Sequence, residues 1–244
     1  MLQKKFYEIV CEQLDRQVHE EEATIEQAAQ YCADAISGGG LIHVFGCGHS
    51  QMFAMEVFYR AGGLVPVNAL LHPAYALFPK AKMSTIGERV EGFADEYLNL
   101  QCTKPGDAMI IASISGRNAG VVDMAIEERK RGMKVIALTS KSFTEKVSSR
   151  HSSGKKLIDV ADVVIDIKCV EGDACLSLPE MPEKFNGTST ILSMVVMDSI
   201  TSRTIELCVE KGFIPPTWVS SNLDRGDEIN AAYIEEYRTK IDCL

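Results

Sequence analysis

With 244 residues the chain is long enough for one sizeable α/β domain that buries a large share of its surface. Lys and Arg total 25 against 34 Asp and Glu, a net charge of −9, which disfavours a general nucleic-acid binder and requires any anion-binding site to be local. Eight cysteines are scattered without a Cys-x-x-Cys pair or an adjoining His cluster, so zinc is not indicated and most of them read as small core residues. The N-terminus, MLQKKFYEIVCEQLDRQ, is charged within its first turns, unlike a signal peptide, and no uncharged apolar run is long enough to span a bilayer. The expectation is a soluble, cytoplasmic protein.

From Leu2 to about Glu20, Leu2, Phe6, Ile9, Leu14 and Val18 recur at helical spacing. Thr24 and Gln27 have the spacing of a capping box, predicting a second helix through Ala28, Ala29, Cys32 and Ile36 to the stop at Gly38–Gly40. Leu41–Phe45 is a short apolar strand that runs into Gly46-Cys47-Gly48-His49-Ser50, and a helix begins at about Met52 and ends at Gly62-Gly63. Strand, glycine turn and helix build an anion-receptive corner. A dinucleotide fingerprint fails, because residue 51 is Gln where a third glycine is needed and Asn68 stands where a ribose-binding acid is expected. Leu64–Leu70 reads as a strand in which Pro66 predicts either an edge position or a start only after it. The connection Leu71–Met83 carries two prolines and His72, a plausible flap. A helix is then expected from about Gly87, with Glu88, Glu91, Asp95 and Glu96 either on its solvated face or contributing an acid/base group.

Pro105–Thr139 forms one βαβ unit. After a Pro-Gly-Asp turn, Ala108–Ala112 suits a strand buried on both faces. Ser113 and Ser115 flank Ile114, and Gly116, Arg117 and Asn118 precede a helix with Val121, Val122, Ala125 and Ile126 on one face. The helix stops at Gly132, and Lys134–Thr139 is the next strand. Two hydroxyls and several backbone amides at a helix start suit a phosphate, although the same residues also serve as ordinary caps. Beyond this unit, a short helix is expected over Ser142–Arg150, followed by a polar loop with Lys155 and Lys156 and a fifth parallel strand within Asp159–Ile167. Gly187, Thr188, Ser189 and Thr190 lead into a long apolar helix, Ile191 to about Lys211, which must be sandwiched. An amphipathic last helix closes the chain.

The Gly-Asp strand ending in Ser-x-Ser-Gly, the turn Lys130-Arg131-Gly132, the strand end Ala137-Leu138-Thr139-Ser140, the Gly-x-Gly-x-Ser run ending at Ser50 and the loop Glu171-Gly172-Asp173-Ala174 together resemble the sugar isomerase (SIS) domain family over roughly residues 25–212. The resemblance implies a three-layer α-β-α, flavodoxin-like five-stranded parallel sheet. It further implies a single domain over 1–244, with helices of 2–37 and 187–240 packed on it. By the same resemblance a phosphorylated sugar is the partner, held by Gly48, Ser50, Ser113, Ser115, Gly116 and Asn118, with Thr188 and Ser189 brought in by the last long helix. A homodimer or homotetramer is implied; no metal, cofactor, nucleic acid or membrane is called for. Two carboxylates compete for the catalytic role. Phosphoheptose isomerases and muramic acid phosphate etherases of this family carry a Glu on the helix after Ser50, at the position of Arg60 here, with Glu56 one turn earlier. Val90-Glu91-Gly92, with Ala94 and Asp95, is similar to an etherase segment whose Glu is catalytic. The expected activity is aldose–ketose isomerisation of a sugar phosphate, with Glu91 or Glu56 moving the proton alongside His49 or His72. An etherase-like lyase acting on an amino-sugar phosphate and a non-catalytic phosphosugar sensor remain open alternatives.

Overall fold

The computed structural model describes residues 1–244. Helices α1 (Leu2–Glu20) and α2 (Glu22–Ser37) lead into β1 (Ile42–Gly46), α3 (Gln51–Val57), β2 (Val67–Ala69), α4 (Lys82–Gly87), α5 (Phe93–Leu98), β3 (Ala108–Ala112), α6 (Ala119–Lys130), β4 (Lys134–Thr139), α7 (Lys141–Thr144), α8 (Leu157–Val160) and β5 (Val163–Asp166). A two-stranded antiparallel ribbon, β6 (Ala174–Leu176) and β7 (Phe185–Gly187), precedes the long α9 (Ser189–Glu210), and α10 (Gly226–Tyr237) follows.

Five strands form one parallel sheet in the order β2-β1-β3-β4-β5. This is the doubly wound, three-layer α-β-α arrangement of flavodoxin-like folds. Along β3 the side chains alternate between two cores: Ala108, Ile110 and Ala112 face the α2/α3/α9 side, whereas Met109 and Ile111 face the α5/α6/α8 side. A strand with no wet face needs apolar residues at every position, which is why the Ala-Met-Ile-Ile-Ala run reads without alternation. The short β2 begins after Pro66 and takes the edge, so both alternatives hold. No helix is long and apolar enough to cross a membrane.

Several boundaries depart from the pattern. The Thr24 hydroxyl turns back onto Glu21, accepted by its backbone and side-chain oxygens at 3.0 and 2.7 Å, so α2 starts two residues before the expected capping box. The helix after Ser50 stops at Val57, because Phe58 turns extended and Tyr59 adopts a positive φ of 48°. The helix expected over 142–150 covers only Lys141–Thr144, since the Lys156 ammonium donates to the Thr144 and Val147 carbonyls (2.7 and 3.3 Å) that a continuing helix would use. Of the helix expected through ERVEGFADEYLNL only α5 forms: α4 ends before it at Gly87, and the chain turns at Gly92, whose φ is 85°. Helix α1 is only partly covered: Val10 is its one buried apolar residue, and it docks through the Gln13 and Gln17 amides on the Lys168 and Ile167 carbonyls.

The position of the site follows from topology. β2 lies to one side of β1 and β3 to the other, so the loops leaving β1 and β3 diverge at a switch point, with Gly46 and Ala112 in register.

Candidate functional site

The β1 loop is shaped by two glycines. A Cβ on Gly46 would meet the Ser50 carbonyl, and Gly48 has a φ of 59°, so the chain doubles back tightly. Ser50 is thereby brought to the start of α3, its amide donating to the Cys47 carbonyl at 3.1 Å and its hydroxyl unused for capping.

The β3 loop is shaped by its carbonyls. The Ile114 oxygen accepts from Thr139 Oγ1 and the Ser140 amide (both 3.1 Å), the Ser115 oxygen from Thr144 Oγ1 (3.0 Å), the Gly116 oxygen from the Leu157 amide (2.8 Å) and the Arg117 oxygen from the Arg150 amide (2.8 Å). Four consecutive acceptors are therefore tied back into β4, α7 and the 150–157 segment. The loop turns its hydroxyls, Ser113 and Ser115, toward the cleft, and the Ser113 Oγ accepts from the Gly116 amide at 3.2 Å. A loop with its acceptors turned away has the polarity an anion requires.

These two loops, the start of α6, Phe143 and the start of α9 enclose a cleft of about 610 Å³, room for a phosphorylated sugar. On the α9 side, the Asp173 carboxylate accepts from the Thr188 and Ser189 amides (3.0 and 2.8 Å) and from the Ser189 hydroxyl (2.5 Å), and so caps the helix. On the α6 side Arg150 donates to Asn118 Oδ1 at 2.9 Å, and Arg117 joins it along the wall.

Glu88 and Asp173 are the two acids of this cleft, and Glu88 is the one not committed to a helix start. Its backbone carbonyl accepts from the Gly120 amide in the first turn of α6 at 2.9 Å, which anchors the residue beside the β3 loop. Burial lifts its carboxyl above the ordinary carboxylate range, against the opposing pull of Asn118, Arg89 and Arg150. Burial, reinforced by the Glu88 charge, also pushes the neighbouring Cys47 thiol well up, leaving it protonated rather than nucleophilic at neutral pH.

The structure brings His49, Ser50, Ser113, Ser115, Asn118 and Ser189 together around the cleft, with Gly48 and Gly116 (φ 59°) setting its turns. Other expected residues lie elsewhere. Thr188 is fully buried with its hydroxyl unpartnered, and Thr190 lines the cleft instead. Glu56 is outside the lining and is paired with Arg60 at 2.6 Å, an ion pair that occupies the carboxylate. Glu91 is turned toward the 151–153 loop, where the amide and hydroxyl of Ser152 both donate to it. Those bonds and His151 hold its carboxyl below the usual range, the wrong direction for a proton acceptor working near neutrality. His72 sits in a cluster with Tyr75, Phe93 and Tyr97, its Nδ1 accepting from the Ala74 amide. Lys156 serves the carbonyls after α7 and does not line the cleft. Glu88, Arg150 and Asp173 are the groups that sequence reasoning undervalued: Glu88 stands just after the end of α4 at Gly87, ahead of the turn at Gly92, and Arg150 and Asp173 arrive from loops remote in the chain.

The comparisons agree with this architecture. The SIS domain family model matches residues 5–140, while the cleft also draws on residues beyond that span. A UPF0309 protein of Geobacillus kaustophilus is 35% identical over 240 residues, covering 98% of this chain and 96% of its own, and a UPF0309 protein of Listeria monocytogenes is 37% identical over 239 residues, covering 98% and 97%. Among solved structures, a phosphoheptose isomerase from Francisella tularensis superposes with a TM-score of 0.56 at 16% identity, covering 82% of this chain and 95% of that one. A phosphoheptose isomerase from Neisseria gonorrhoeae gives 0.54 at 19%, covering 83% and 98%. By the match over more than half its length and by relatives aligned from end to end, the chain belongs to the SIS domain family.

Proposed function

We propose that the cleft binds a phosphorylated sugar and that the protein is an aldose–ketose isomerase acting by proton transfer. The phosphate is held by the hydroxyls of Ser50, Ser113 and Ser115 and the amides around Gly116. The sugar carbon chain runs from there toward Glu88. Glu88 moves the proton between C1 and C2, and His49 lies along the same cleft to donate to the carbonyl oxygen. The observation that carries the reading is Glu88 itself: a carboxyl lifted by burial, in the same cleft as a loop with four consecutive carbonyls tied away from it. A carboxyl raised above its ordinary range is a stronger general base than an unperturbed one.

The test is Glu88→Gln, which keeps the shape and removes the base. Exchange of the substrate's C2 hydrogen with deuterated solvent, followed by NMR, is expected to fall by roughly a hundredfold or more while binding of the sugar phosphate persists. Unchanged exchange in the variant would remove Glu88 from the mechanism. Exchange absent from the unaltered protein that binds the sugar would favour the sensor reading.

A further inference from the structure

The arginines of this acidic chain fall into two groups. Arg16, Arg60, Arg129, Arg131, Arg203 and Arg238 each meet a carboxylate within ion-pair distance. Arg89, Arg117, Arg150 and Arg225 do not, and two of these four, Arg117 and Arg150, line the cleft side by side. Acids outnumber bases in the chain by nine, so partners for these cations are abundant elsewhere on the molecule. Two like charges kept together without a counter-charge repel each other, and a fold retains such a pair where an anion compensates it.

Their local bonding keeps them available. The Arg150 amide donates to the Arg117 carbonyl at 2.8 Å, which locks the two backbones together. Arg117 spends one Nη2 hydrogen bond on Ser148 Oγ (3.3 Å), and its Nε is buried without a partner. Arg150 spends one on Asn118 Oδ1 (2.9 Å). A guanidinium has five N–H donors, so most of this capacity is uncommitted. Desolvation, then the charges of Arg117 and Arg89, hold Arg150 below its ordinary value, with Glu88 pulling the other way. The two acids of the cleft make no ion pair with either arginine. Asp173 is committed to the start of α9 by three hydrogen bonds, and Glu88 pulls on Arg150 without reaching ion-pair distance.

The serine loops already supply what one phosphate needs, namely hydroxyls and amides with no opposing acceptor. Resting on the phosphosugar reading above, we propose that Arg117 and Arg150 form a second anion subsite, so that the substrate class is a sugar phosphate carrying a further anionic group. A carboxylate suits it, because a guanidinium fork and a carboxylate match as planar partners. A second phosphate shares the same chemistry.

The experiment is calorimetric binding to the full chain of matched ligand pairs that differ in one anionic group: the open-chain glucitol 6-phosphate against 6-phosphogluconate, and fructose 6-phosphate against fructose 1,6-bisphosphate. Wild type is expected to bind at least one two-anion member about tenfold or more tightly than its partner, the worth of one charge-assisted hydrogen bond. The pair that shows the preference identifies the second group as carboxylate or phosphate. Arg117→Gln and Arg150→Gln are expected to cost that two-anion ligand at least tenfold more than its one-anion partner, and Arg150→Lys to recover part of the loss. Arg225→Gln, outside the cleft, serves as control, and melting temperatures report folding of each variant. Equal losses for both members of a pair would assign the arginines to the shared phosphate and overturn the subsite, as would equal affinities within every pair in wild type. Failure of every phosphorylated sugar to bind would overturn the phosphosugar reading itself, and the subsite with it.

Discussion

Glu128 offers a quantitative test of the packing. It lies on α6, fully buried, with both carboxylate oxygens lacking a hydrogen-bond partner. Burial, assisted by Asp107 and Glu127 and only partly opposed by Arg131, pushes its carboxyl from 4.5 up to about 8. In the unfolded chain the proton leaves near pH 4.5, whereas in the folded chain it stays until about pH 8. Between those values the folded state holds the extra proton, so stability falls as pH rises through the window. At about 1.4 kcal/mol per pH unit, the fall amounts to on the order of 5 kcal/mol across it. Gln has the same shape and no proton to lose, so Glu128→Gln removes this slope. At roughly 2 to 4 °C per kcal/mol for a chain of this size, wild type is expected to lose on the order of 10 °C in Tm relative to the variant between pH 5 and pH 8. Thermal melts of both proteins across that range read the difference directly. Parallel pH profiles would show that Glu128 is ionised and solvated in the native state, and would refute the buried-acid argument.

Two further perturbations probe what holds the site's frame. Lys168, whose side chain is 8% exposed, pairs with Glu21, Glu20 and Asp166 at 2.6, 3.0 and 3.4 Å. Lys168→Met leaves the Glu21 charge buried and uncompensated, and denaturant titration at pH 7 is expected to show a loss of about 3 to 5 kcal/mol; a loss below about 1 kcal/mol would mean that the cluster is well solvated. Asp173→Ala removes the cap of α9, with an expected cost of about 2 kcal/mol and a Tm lower by roughly 4 to 8 °C; an unchanged Tm would mean that the helix start finds another acceptor.

Much of the fold was legible because its signals are contiguous. The all-apolar run of β3, the stop at Gly132 and the Ser-x-Ser-Gly and Gly-x-Gly-x-Ser turns each depend on a few neighbouring residues. Pro66 left an edge strand or a start after it, and β2 does both. The candidate acid was harder to read. Glu88 and Glu91 lie three residues apart, and a continuous helix would place them on one face. The chain instead leaves the helix after Gly87 and turns at Gly92, sending Glu88 into the cleft and Glu91 to Ser152. A left-handed glycine in mid-segment is not distinguishable in sequence from one tolerated inside a helix. Glu56 looked costly among apolar neighbours, but α3 ends one residue later and frees it to pair with Arg60. Arg150 and Asp173 reach the cleft only through tertiary packing, by way of the Arg117 carbonyl and the start of α9, and no local spacing announces them.

The central claim is that the two serine loops bind the phosphate of a sugar phosphate. The most direct measurement is a thermal-shift comparison of wild type with a Ser113→Ala/Ser115→Ala double variant, across hexose, heptose, pentose and amino-sugar phosphates, with nucleotides and unphosphorylated sugars as controls. A true ligand at a hundred times its dissociation constant adds about 2.7 kcal/mol, so the wild type is expected to shift by roughly 5 to 10 °C with selected sugar phosphates, and the double variant by little. A larger response to nucleotides, no response to any phosphorylated sugar, or an undiminished shift in the double variant would contradict the account.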